Sequence, residues 1–150
     1  MSATGDQGPR LTSESGTTLI EALAVVAITA LTALIGYPHL ERSFLVLAQR
    51  QTSALVAERL RQARAEARRR DQPVALIVAA DGRSFGLSMG PSIPAPLGVT
   101  VTARATNSGP IEFYGDGTSN GGRVLVSAGQ WTVPVTVMPQ AGVVFMGNGT

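Results

Sequence analysis

Hydrophobic positions divide this chain into three regimes. Residues 1–16 are polar, rich in Ser, Thr and Gly and without periodicity, which predicts a disordered leader removed on maturation. Leu19–Tyr37 is then an apolar run interrupted only by Glu21. At ~1.5 Å per residue it makes about 28 Å of helix, the thickness of a bilayer's hydrocarbon. From Leu40 to Arg70 the pattern turns amphipathic. Leu45, Ala48, Thr52, Val56, Leu60, Ala63 and Ala67 recur at steps of three and four and share one helical face, with Arg50, Ser53, Arg61, Arg64 and Arg68 opposite. Glu66 can pair with Arg70 one turn on, and Arg68–Arg70 sit where the helix dipole favours cations. Asp71-Gln72-Pro73 ends the run, because proline disfavours helical geometry in the residue before it. The spacing therefore predicts one helix over Thr17–Arg70, ~80 Å long if straight, weakest at Gly36 and Pro38.

After Pro73 come short β-prone runs punctuated by Gly, Pro and Asn: Val74–Ala79, Ser84–Ser88, Val99–Ala103, Ile111–Tyr114, Arg123–Ser127, Trp131–Met138 and Val143–Met146. Asp81-Gly82 predicts a tight hairpin turn between the first two. Pro91–Pro96 is a connection that cannot sit inside a sheet, and Pro134 demotes its run to an edge or bulged strand. An amphipathic helix must bury its apolar stripe, and an antiparallel sheet or sandwich supplies the surface. The fold class is α+β, a long N-terminal helix with a membrane half and an amphipathic half, the latter packed on a C-terminal β-domain.

Composition narrows this picture. The chain has 150 residues, room for one domain beside a membrane segment. With no cysteine it has neither a disulfide nor a thiolate metal site. All 12 basic residues are Arg, and most of them lie between Arg42 and Arg70. That stripe reads first as a solvated surface, then as a face for acidic neighbours or anionic lipid. Nucleic acid is a weaker reading, because no aromatic residues interleave with the arginines.

The junction Ser15-Gly16-Thr17-Thr18-Leu19-Ile20-Glu21 carries the most chemistry. An ionised carboxylate in hydrocarbon costs roughly 2.5–3.5 kcal/mol even on mild insertion scales. Glu21 either reaches the interface or finds a cation. Cutting the bond after Gly16 would create one, the α-amino group of Thr17. The stretch resembles the processing site of type IV prepilins, in which glycine precedes Phe-Thr-Leu-Ile-Glu and an apolar helix. Thr18, Leu19, Ile20 and Glu21 fall on the expected residues, and Pro38 falls on the family's helix proline. Thr17 departs from the usual phenylalanine. The leader departs too, holding Asp6, Arg10 and Glu14 rather than a basic cluster.

Two further segments resemble the minor pseudopilin H group (GspH/FimT-type) of type II secretion systems. One is Ala63-Arg64-Ala65-Glu66-Ala67 followed by Pro73-Val74. The other is Ile-x-Phe-x-x-x-Gly-x-Ser-x-Gly-Gly, from Ile111 to Gly122. The resemblance implies a leader (1–16) cleaved by prepilin peptidase, N-methylation of Thr17, and a transmembrane assembly segment (17–38). It also implies an amphipathic periplasmic half-helix (39–71) and a periplasmic β-domain (72–150). Leu19, Ile20, Glu21 and Pro38 become assembly residues, with Glu21 pairing the Thr17 amine of a neighbouring subunit. The implied partners are the major and other minor pseudopilins, prepilin peptidase, the inner-membrane assembly platform with its ATPase, and exported proteins. The location is the bacterial inner membrane, single-pass, with the C-terminal domain periplasmic. Taken literally, Arg10 on one side against Arg42 and Arg50 on the other favours the reverse orientation; the resemblance overrides it, because the peptidase acts on the cytoplasmic side. A FimT-type minor pilin of a type IV pilus or DNA-uptake system shares all these parts. A single-pass anchored binding module is the alternative of another class.

Catalytic readings find little support. His39 is the only histidine, which excludes a triad or a histidine-rich metal site. Gly115–Gly122 has no Lys and no following helix, against a phosphate loop, and Asp116 with Asn120 is thin for calcium. The segment reads instead as a flexible hairpin loop, and Trp131 as a core or surface-strand aromatic. No enzyme activity and no cofactor are expected.

Overall fold

The computed structural model describes residues 15–147 and 149, with side chains for 18–36, 43–147 and 149. Helix α1 is assigned over Ser15–Arg70. Eight strands follow: β1 (Val74–Val78), β2 (Ser84–Leu87), β3 (Ile93–Pro94), β4 (Val99–Ala105), β5 (Ile111–Phe113), β6 (Gly122–Ala128), β7 (Trp131–Val137) and β8 (Val144–Met146). The chain divides into two compact units, Met1–Glu41 and Arg42–Thr150. Described structure in the first is helix alone. The second holds the remainder of α1 and every strand.

In the second unit the helix buries the stripe that its periodicity marks out. Thr52, Val56, Leu60, Ala63 and Ala67 are buried, and the four apolar ones join a single core with both sheets. Full burial of Val56 and Leu60 contributes roughly 1.5–3 kcal/mol each. The stripe is wider than expected. Ser53, assigned above to the solvent face, is buried, and its hydroxyl donates to the Gln49 carbonyl at 2.8 Å. At about 100° per residue, Ser53 lies on the flank of the stripe, where the sheets still cover it. Arg64 also departs from the solvent face and is half-buried. Gln49 is buried as well, and its amide donates to the carbonyls of Val126 (2.9 Å) and Trp131 (2.8 Å). One polar side chain thereby ties the helix to β6 and β7.

The helix stops as its sequence requires. Asp71 takes a left-handed conformation (φ 51°), and the Gln72 amide donates to the Ala67 carbonyl at 3.3 Å. That is the six-residue closure of a Schellman motif, with Pro73 preventing continuation. At the same end Glu66 bonds Arg69 (2.6 Å) and Arg70. The Arg69 bond is the main reason the Glu66 carboxyl is held below its ordinary value.

The strands form two antiparallel four-stranded sheets, ordered β3-β2-β1-β5 and β4-β6-β7-β8. Alternation sets which residues face the core: Val99 and Val101 on β4, Val124 and Val126 on β6, Val135 and Val137 on β7. In the first sheet Val74 sits opposite Phe113, and Leu76 lies between Ile111 and Leu87. All seven expected strands are present. The addition is β3, drawn from the Pro91–Pro96 connection, and it occupies a sheet edge, where Pro94 needs no ladder partner on its outer side.

Pro134 overturns one expectation. β7 is an interior strand, and its pairing with β6 runs unbroken from Gly122–Val137 to Ala128–Trp131 with no bulge. In an antiparallel ladder a residue's N–H and C=O face the same neighbour. The Pro134 carbonyl accepts from Gly147 at 2.8 Å, so its nitrogen also points toward the β8 side. Strand β8 has ended by then, and no bond to β6 is lost.

Candidate functional site

Thr18–Gly36 is a 19-residue stretch of mean hydropathy 2.3, long and apolar enough to cross a membrane, and all of it is uncovered by the chain's own structure. Leu19, Ile20 and Glu21 lie exposed at its start. Gly16, Thr17 and Pro38 fall within α1, but their side chains lie outside the described residues, as does the leader up to Glu14. Two hydroxyls deep in the span are compatible with lipid: Thr29 donates to Val25 and Thr32 to Ile28, each at 2.7 Å, satisfying these donors within the helix. Residues 18–36 contain no basic side chain, so Glu21 has no cation of its own segment to pair with.

The motif running from Ile111 to Gly122 builds the opposite end of the second unit. Ile111 and Phe113 enter the core, and Ser119 is buried behind them. Ser119 donates to the Glu112 carbonyl (2.7 Å), and its own carbonyl accepts from Gln140 (3.0 Å). Asn120 accepts from the Glu112 amide (2.9 Å) and donates to the Pro110 carbonyl (2.9 Å). Gly117 has φ 84°, and a Cβ there would lie 2.9 Å from the Arg68 side chain. Arg64 donates to the Gly117 carbonyl at 3.0 Å. The expectation of a flexible loop is therefore corrected. This segment clamps the helix to both sheets, and the long-range bonds that fix it cannot be seen from glycine content.

Asp116 is consumed locally, accepting from the Thr118 hydroxyl (2.7 Å) and amide (2.8 Å). The Thr118 side chain, then its amide, hold the Asp116 carboxyl below its ordinary value. A depressed folded pKa stabilises above the unfolded value and is lost as pH falls through the folded one. Asp116→Asn should accordingly lower the melting temperature slightly at pH 7, and the gap to the unaltered chain should close below about pH 4. A constant gap across that range would contradict the assignment.

The arginine stripe is less uniform than its sequence suggests. Arg61 makes a loose pair with Glu58 (3.6 Å), Arg69 and Arg70 hold Glu66, and Arg64 serves the loop clamp. The Arg59 Nε is buried without a hydrogen-bond partner, beside a cleft of about 370 Å3 bordered by Leu87, Met89 and Pro91. Among the described residues no group of three or more acidic, His or Cys side chains is placed to hold a metal ion.

Sequence reasoning missed Gln49 as a fixing residue. Its position three residues before Thr52 and seven before Val56 placed it beside the apolar stripe, a signal that was available. No protein-family model and no curated protein matches the chain. Among solved structures it is similar to the minor pseudopilin EpsH from the Type 2 Secretion System of Vibrio cholerae. The TM-score is 0.53 and the identity 12%, over 65% of this chain and 94% of that one. At that identity the likeness is one of architecture: the fold is pilin-like, a long helix with an apolar N-terminal part and an amphipathic part packed on antiparallel sheets.

Proposed function

We propose that this protein is a structural minor pseudopilin of the type II secretion system, assembling into the periplasmic pseudopilus near its tip. The observation that carries the reading is an apolar span with a lone carboxylate, five residues past a glycine, attached to a unit of pilin-like fold. A carboxylate in that place is costly in a free subunit and useful in an assembled one, since a neighbour's new α-amino group can pair with it. The role is mechanical rather than catalytic. Prepilin peptidase, the assembly platform and its ATPase act on the chain in trans, and the β-domain presents loops to neighbouring pseudopilins or exported protein.

A minor pilin of a type IV pilus or DNA-uptake system is the second reading, since the same span and fold serve it equally. Because the chain has no cysteine, single cysteines placed along Thr18–Gly36 report neighbours without background. Leu23→Cys should cross-link in cells to other pilin-like subunits, and the adducts should vanish without prepilin peptidase. Cross-links confined to unrelated membrane proteins would contradict the proposal. Loss of protein export or of pili and DNA uptake on deletion separates the two readings.

A further inference from the structure

The second unit exposes apolar side chains on the outer face of its first helical turns and on two loops against their inner face. On the outer side of the helix Phe44 is 67% and Leu47 52% exposed. Against the inner side lie two loops. A Cβ on Gly98, before β4, would lie only 2.6 Å from Leu45, so the Pro96–Gly98 loop is seated against the helix, and Leu97 is 95% exposed. The β6–β7 turn borders Leu45 and Val46, and Trp131 emerges from it half exposed (50%), its carbonyl held by Gln49. Register puts these loops at one end of the sheet, since Ala128 pairs with both Val99 and Trp131.

No Asp or Glu occurs in residues 43–50, 95–98 or 128–133. Arg50 is exposed about one turn beyond Leu47, and an arginine there has the length to reach lipid phosphates. Asp81 and Arg83 border this end on the side of the other sheet, on the turn whose Gly82 accepts from Val101.

We infer that this end of the second unit is a membrane-docking face, with Leu97, Trp131, Phe44 and Leu47 seated in the headgroup–acyl boundary of the bilayer that holds the apolar span. Two observations choose lipid over a protein partner. First, the apolar groups project both from the outer face of the helix and from two loops against its inner face, and a flat apolar medium met end-on covers both at once, whereas a subunit docking laterally covers one. Second, the span ends at Gly36 and this unit begins at Arg42, so the bilayer surface is within a few residues' reach. An exposed Leu beside a half-exposed Trp is also what the interface selects, the indole placing its apolar body in lipid and its N–H in water. The inference rests on the membrane part of the proposed function. It adds that an unassembled subunit rests this end on its membrane until recruited.

Trp131 is the chain's only tryptophan, so the face carries its own probe. The test reconstitutes the full chain in phosphatidylcholine–phosphatidylglycerol vesicles, with or without acyl-chain bromine, and reads flotation and Trp131 emission. Docking requires that the chain floats and that bromolipid strongly quenches a blue-shifted emission. Leu97→Asp, at a site outside the core, should still float while quenching falls several-fold. A chain that floats with unquenched emission overturns the docking face and leaves the span intact. Unquenched emission that shifts with protein-to-lipid ratio assigns the face to a second copy and equally overturns it. A chain that fails to float overturns the span, and this inference with it.

Discussion

Glu21→Val should leave the protein membrane-inserted and cleaved after Gly16, yet nearly absent from filaments. The substitution removes a charge from the edge of an apolar run, so insertion becomes easier, by less than the roughly 2.5–3.5 kcal/mol that an acidic residue costs at a span's centre. Incorporation depends on the opposite term. A carboxylate and an ammonium 4 Å apart at an effective dielectric near 20 attract by on the order of 4 kcal/mol before desolvation. That is large enough to decide whether a subunit docks in register, and Val has nothing to offer the Thr17 amine. Sheared filaments and membranes, probed for the variant in parallel, would separate the two effects. Incorporation equal to the unaltered chain would remove Glu21 from the assembly role.

Phe113→Ala should be the most destabilising single change in the β-unit. Phe113 is fully buried, opposite Val74, and it forms an isolated bridge with Ser119. Truncation leaves a cavity under the helix and loosens the loop that Arg64 and Ser119 hold, a combination worth roughly 3–5 kcal/mol. For a unit of about 100 residues that lowers the melting temperature by roughly 15–30 °C. Tyr114→Ala, at the partly exposed next position, is the control and should cost far less. Comparable melting of the two variants would mean that the Ile111–Gly122 motif is not the structural clamp described above.

Much of this fold was legible because its signals are local. Three- and four-residue spacing located the helical stripe from Thr52 to Ala67, and Gly and Pro punctuation located seven strands. What escaped depends on partners distant in the chain. Gln49 and Ser53 are polar residues beside an apolar stripe; the sheets bury both, and the Gln49 partners, the carbonyls of Val126 and Trp131, are invisible in local spacing. The rule that proline marks an edge failed at Pro134, because it depends on which neighbour the nitrogen faces, and register alone decides that. Glycines at 115, 117, 121 and 122 suggested mobility, whereas Gly117 permits the close approach of Arg68. The assembly residues were the reverse case. Glu21 is conspicuous in sequence because it is lone, and the amine proposed for it belongs to a neighbouring subunit rather than to its own chain.

The most direct measurement is the mass of the mature N-terminus, taken on protein purified from cells with a working prepilin peptidase. The account predicts a chain beginning at Thr17, its α-amine free or methylated and therefore still cationic. A chain that retains Met1–Gly16 would leave Glu21 without its proposed counter-charge and would contradict the account at its foundation.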